Sequence, residues 1–302
     1  MPSEHTRGIS RMLLAVGVLS VMDVLLKLLA GRYPPAQVAA LRGAASLPFY
    51  VVPVLVTGRL AELKPRRLWL HLVRGVLAIS VMIGFVYAVG QMSLTNTYTL
   101  FMIAPLLVTA LSVPILGEQV RLGGWIAVCA GMLGVVFVLR PSTTGLTVPG
   151  ALAALGAAAV YAVNFVLIRI MSRTETHASL VFWFLLTVAV GAGALAAPVW
   201  RELGTRDWQV VLAIGITGAI GQHFITQAFS LAPASLIAPF DYTALLWGLA
   251  FDWVLWSTRP SVTALVGGAL IVASGVYVTR AARRGPQREE QVATPLPVDP
   301  PV

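Results

Sequence analysis

From residue 12 onward the chain repeats one pattern: an apolar run of about twenty residues, the length that crosses a bilayer as a helix, then a short break. The runs fall at 12–30, 36–57, 68–90, 95–117, 122–140, 148–169, 178–200, 208–231, 234–257 and 261–279. Breakers such as Pro34-Pro35, Lys64-Pro65, Pro141 and Pro233 separate them. The pattern predicts an all-α membrane protein of ten transmembrane helices. Residues 281–302, basic, then acidic, then Pro-rich, read as a disordered tail.

The runs form two related sets of five, over 8–140 and 148–280. Val24-Leu25-Leu26-Lys27 closes the first run, and Val166-Leu167-Ile168-Arg169 closes the sixth. Gln91-Met92-Ser93-Leu94 before the fourth matches Ala228-Phe229-Ser230-Leu231 before the ninth. The small-residue run from Gly131 to Val138 matches Ala273 to Val278. An odd number of spans per copy inverts the second copy relative to the first, a layout of many secondary transporters with a binding site near the midplane.

Composition narrows this further. With 58% hydrophobic and 11% charged residues and a mean hydropathy of +0.84, there is no room for a large soluble domain. The net charge of +9 raises nucleic acid as a partner, but no basic helix face or aromatic-basic strand is present. Lys and Arg gather in the connections instead. Placing the N-terminus in the cytoplasm puts 13 of the 21 on the inside, among them Arg59, Lys64, Arg66, Arg67, Arg121 and Arg173. Five, Arg32, Arg140, Arg201, Arg206 and Arg259, fall outside. That split predicts an inner-membrane protein with both termini cytoplasmic. The lone Cys129 excludes an intrachain disulfide, and the first run has no small-residue cleavage site, so it reads as a helix. Trp69, Trp125, Trp200, Trp208, Trp253 and Trp256 fit an interfacial belt.

A charge inside a span costs at least about 2.5–3.5 kcal/mol at its centre, so each must have a partner or a cavity. Asp23 is four residues from Lys27 on one helix face, and Arg42 offers it a second pairing across helices. Asp23 is either a proton carrier or part of a structural pair, and Arg42 a carboxylate ligand or a structural partner. Asp241 stands beside Pro239, which frees an upstream carbonyl and breaks the ninth run; Pro105 is the matching break in the fourth. Asp241 and Tyr242 are therefore expected to face a polar lumen. His223 and Gln227, four apart in a run with Gly215, Gly218 and Gly221, share another face, with His223 a possible proton switch or a satisfied core histidine. Tyr87, Gln91, Tyr98, Thr99, Tyr161, Asn164, Trp183 and Trp247 are further candidates for an amphipathic substrate pocket. His71 and Arg74 read as interfacial, and Glu118, near a helix end, as structural. Metal and cofactor motifs are missing: there is no His-Glu-x-x-His and no phosphate-binding Gly-x-x-x-x-Gly-Lys, which disfavours an intramembrane protease or an ATPase. No filter-like loop points to a channel.

Ala104-Pro105 thirteen residues before Gly117-Glu118, the Gly131-to-Gly134 helix, Ala238-Pro239-Phe240-Asp241-Tyr242-Thr243 and the opening Ser20-Val21-Met22-Asp23 with Lys27 and Arg42 resemble the drug/metabolite transporter superfamily, built from five-helix EamA-type repeats. One departure stands out: Ser257-Thr258 occupies the place of a second Gly-Glu. The resemblance implies a carrier of small molecules in the lipid bilayer, and a ten-helix unit with an internal pseudo-dimer is expected to work as a monomer. It is nearest to aromatic amino acid exporters of the YddG type, with S-adenosylmethionine uptake carriers as the alternative.

Overall fold

The computed structural model describes residues 4–29, 32–92, 94–141, 145–257 and 260–292. Twelve α-helices follow in chain order: α1 (Glu4–Leu29), α2 (Pro35–Val56), α3 (Leu68–Gln91), α4 (Leu94–Phe101), α5 (Ala104–Leu116), α6 (Leu122–Leu139), α7 (Val148–Met171), α8 (His177–Ala196), α9 (Asp207–Leu231), α10 (Ala234–Ile237), α11 (Ala244–Trp256) and α12 (Val262–Val292). Among the described residues ten spans are long and apolar enough to cross a membrane. The fourth is α4 plus α5, and the ninth is α10, a 3₁₀ segment Ala238–Thr243 and α11. Both are broken, as the prolines predict. Pro105 sits in the first turn of α5 and Pro239 in the first turn of the 3₁₀ segment, where a missing N–H costs no helical bond.

The last helix continues to Val292, past residue 281 where the sequence predicts a tail. Ala281, Ala282, Arg283 and Arg284 are good helix formers, and extending a helix already nucleated in the membrane costs little. Residues 293–302, and the expectation of disorder there, lie outside the described residues, as do Thr258 and Arg259.

The main helix crossings join one half to the other: α1 with α9, α3 with α7, α2 with α8, and α6 with α12. Exchanging the halves maps the first of these onto the second and each of the others onto itself, so the copies are related by an inverted pseudo-two-fold. Close approach rests on small residues, because lipid provides no hydrophobic drive between helices. Where α6 meets α12, a Cβ on Gly134 would stand 2.7 Å from the Gly267 carbonyl oxygen, and one on Gly267 would stand 2.5 Å from that of Gly134. The backbones touch.

Hydrogen bonds tie the two halves together on both faces. On the face that carries the N-terminus, Glu118 accepts from the backbone N–H of Ala234 (2.8 Å) and Ser235 (2.9 Å) and from the Ser235 hydroxyl (2.5 Å), which caps α10. On the same face Glu175 accepts from the backbone N–H groups of Arg66 (3.0 Å) and Arg67 (2.7 Å), with His71 Nε2 3.6 Å away. Burial pushes this carboxyl up, but the two amides and His71 outweigh that and hold it below its ordinary value. On the opposite face Asp207 takes Arg32 at 2.8 Å and the Tyr33 hydroxyl at 2.6 Å, while Gln37 exchanges two bonds with the Arg201 backbone.

Candidate substrate site

Five polar side chains from both halves converge inside the bundle: Asp23 on α1, Arg42 on α2, Tyr98 on α4, Tyr161 on α7 and Asp241 in the 3₁₀ segment. The Tyr161 hydroxyl donates to Asp241 Oδ2 at 2.9 Å. Arg42 acts electrostatically on both Asp23 and Tyr161, and Asp23 acts on Asp241 and Tyr98. Arg42 of the next span is thus the opposite charge that acts on Asp23 across helices. Asp23 is exposed, and Arg42, Tyr161 and Asp241 are half-buried.

The broken ninth span explains how Asp241 reaches this group. A 3₁₀ segment turns 120° per residue, so neighbouring side chains diverge. Asp241 points to Tyr161, whereas Tyr242 is fully buried against α6, its ring where a Cβ on Gly131 would be 2.6 Å away. The expectation that both face the lumen is corrected for Tyr242, whose hydroxyl has no partner. Beside the polar group runs a series of rings: Phe85 with Tyr98 (5.1 Å between centroids) and Phe101 (5.3 Å), Phe101 with Tyr161 (5.3 Å), then Tyr161 with Phe165 (4.5 Å) and Phe165 with Phe229 (4.4 Å). These contacts need tertiary placement, and only Tyr98 and Tyr161 carried a signal in the sequence.

The remaining candidates lie elsewhere. Asn164 accepts from Arg74 Nε at 3.3 Å and donates to the Arg74 carbonyl, so it belongs to a separate buried network. Arg74 itself is 1% exposed, donates to the Leu180 carbonyl at 2.8 Å and lies over the Phe184 ring at 4.7 Å. The interfacial reading of Arg74 and His71 fails: both point into the bundle, and His71 meets Ser179 Oγ at 3.3 Å. His223 and Gln227 bond to each other at 2.9 Å, nearer the N-terminal face. Trp247 covers Gly17 on α1 and stacks on Phe251 at 6.0 Å. Thr99 is buried, while Tyr87 is half exposed and Gln91 ends α3, its carbonyl accepting from Thr147 at 3.3 Å. Pro105 and Pro239 are buried at the two breaks, Lys27 is exposed, and Trp183 donates to the Leu63 carbonyl at 3.0 Å. Glu118 caps α10. Among the described residues no group of three metal-ligating side chains exists.

The EamA-like transporter family profile matches residues 6–140 and 148–280. A pseudopaline exporter of Pseudomonas aeruginosa is 26% identical over 278 residues, covering 90% of this chain and 96% of that protein. A riboflavin transporter of Vibrio cholerae is 26% identical over 263 residues, 86% and 88% of the two chains. An S-adenosylmethionine uptake transporter of Rickettsia prowazekii is 24% identical over 274 residues, 91% and 92%. A crystal structure of another protein superposes with a TM-score of 0.80 at 22% identity, over 92% of this chain and 98% of that one, which speaks to the fold alone.

Proposed function

Since the chain belongs to the EamA-like transporter family, we propose that it is a secondary transporter exporting small zwitterionic metabolites, amino acids foremost, across the inner membrane by alternating access. The observation that carries this is the central group of one guanidinium and two carboxyl groups drawn from both halves. Arg42 matches a substrate carboxylate and the two acids match an ammonium group. Tyr161 holds Asp241 in place, and the adjacent rings receive an apolar or aromatic side chain. Because the ligands come from both halves, rocking one against the other opens the site to either side in turn. The 13-to-5 distribution of Lys and Arg supports both termini in the cytoplasm, which makes the N-terminal face the inner one. Asp23, Asp241 and His223 are the groups available for proton coupling, and the single chain is the transporting unit.

Counterflow of radiolabelled Phe, Trp, Thr and Met in proteoliposomes, with and without a pH gradient, tests this reading. Saturable counterflow that Arg42→Gln reduces by at least tenfold is expected. A flat result with all four would sink the amino acid assignment. A second reading, uptake of S-adenosylmethionine or a similar nucleotide-like metabolite, is favoured by the same series of rings, which can stack a base. Relatives named for S-adenosylmethionine and riboflavin give it weight.

A further inference from the structure

A second polar group lies nearer the N-terminal face and takes no part in the central site. Along α2, Arg42, Ser46 and Tyr50 recur every four residues on one face, so Tyr50 stands about 12 Å from Arg42 at 1.5 Å per residue. Opposite Tyr50 is His223 on α9, with 5.9 Å between ring centroids. His177, the first residue of α8, meets Ser230 Oγ at 3.3 Å, and its carbonyl accepts from the Tyr50 hydroxyl at 3.5 Å. Arg11 of α1 lies over Phe224 at 5.1 Å and, like His177, acts electrostatically on His223.

The imidazole of His223 is the informative group. Gln227 Nε2 lies 2.9 Å from His223 Nε2; with the Gln227 amide N–H as donor that ring nitrogen accepts, and the neutral ring then carries its hydrogen on Nδ1. Nδ1 is buried and has no partner in the protein. A buried donor without an acceptor is expensive, and the acceptor it lacks is one that a ligand can bring. The surrounding charge selects the ligand further. Arg11 and two histidines gather here, and the carboxylate that acts on Tyr50, Glu62, is already held by Arg59 at 2.6 Å. The central group contrasts with this, having two acids to one base.

We propose that Tyr50, His177, His223 and Gln227 form a second station that binds the carboxylate of the substrate before it moves on to Arg42. The two stations then divide recognition: the outer one reads only the acid group, and the central one reads the acid and the amine together. The assignment of the carboxylate to a transported amino acid rests on the proposed function; the existence of an acid-binding station does not.

The test uses the purified full-length chain in nanodiscs and two probes, 3-phenylpropionate (acid without amine) and phenethylamine (amine without acid), followed by calorimetric titration. In an Arg42→Gln background 3-phenylpropionate still binds, and adding His223→Leu weakens it at least tenfold. His223→Asn, which restores a donor near Nδ1, recovers binding to within about threefold of the parent, and this guards against a merely misfolded variant. Binding of phenethylamine changes less than twofold with His223→Leu. Loss of 3-phenylpropionate binding in Arg42→Gln alone, or indifference to His223→Leu, overturns the station. If binding that depends on His223 persists while no amino acid is transported, the functional reading falls and the station stands.

Discussion

The residues that close the fourth span and the ninth share a backbone conformation, but the sequence that follows them differs in chemistry. Gly117 ends α5 with φ 69° and Ser257 follows α11 with φ 55°, so both adopt the left-handed conformation in matching places. Only the first turn goes on to a carboxylate. Glu118 reaches across to cap α10 of the other half, whereas Thr258 takes its place in the second copy. The faces differ accordingly. Two carboxylates, Glu118 and Glu175, each grip backbone amides at a helix start of the opposite half on the N-terminal face, whereas on the other face the carboxylate of Asp207 takes the side chains of Arg32 and Tyr33, and Gln37 takes the Arg201 backbone. An inverted repeat makes two closed states alike in shape; contacts that differ between the faces are a way for a carrier to favour one resting state.

The comparison breaks most visibly at Glu118. Glu118→Ala removes three charge-assisted bonds, and a loss of roughly 2–4 kcal/mol is expected, with faster cysteine labelling of residues near the N-terminal face. Unchanged melting and labelling would show that this latch carries no load. Asp207→Ala should cost less, about 1–2 kcal/mol, because Arg32 is 61% exposed and its pair is screened, leaving mainly the Tyr33 bond. Labelling should then rise on the opposite face instead.

Glu175→Gln sharpens the contrast through pH. The native carboxyl titrates below its unfolded value of 4.5, so its contribution is complete above that value and disappears as the pH falls through the lower native one. The difference of about 1 kcal/mol in unfolding free energy between wild type and Glu175→Gln should hold from pH 8 to 5 and vanish in stronger acid. A difference that persists there would contradict the latch chemistry. The smallest effect is a gain. Ser257→Gly relieves a left-handed serine and should stabilise by about 0.5–1 kcal/mol, while Gly117→Ser should cost a similar amount.

The ten spans were legible because each depends on a membrane-length apolar run alone; the breaks at Pro105 and Pro239 were legible in part, because Pro48 and Pro53 remove donors inside α2 without breaking it. The inverted relation followed from counting spans. The site was legible only in part. Asp23, Arg42 and Asp241 stand out because charge in a span is costly, but their convergence with Tyr161 is set by which helices cross, which no local pattern encodes. Arg74 shows the limit. It lies six residues into an apolar span, and when all faces of a helix are apolar nothing in the sequence says which one meets lipid. Its partners Asn164 and Leu180 are on helices some ninety or more residues away. Tyr242 misled for a different reason, since the 3₁₀ geometry that separates it from Asp241 is invisible until the segment is built.

The crossings that join one half to the other also set an order of events during synthesis. When the first five spans have left the ribosome, α1, α2, α3 and α6 are all in the bilayer while α9, α8, α7 and α12 have yet to be made. Arg74 at that moment has neither the Asn164 nor the Leu180 group that later surrounds it, and Glu118 has no α10 to cap. The newborn protein therefore passes through a stage in which its hydrophilic interior is open to lipid, and the second half completes the first rather than joining it as a finished unit.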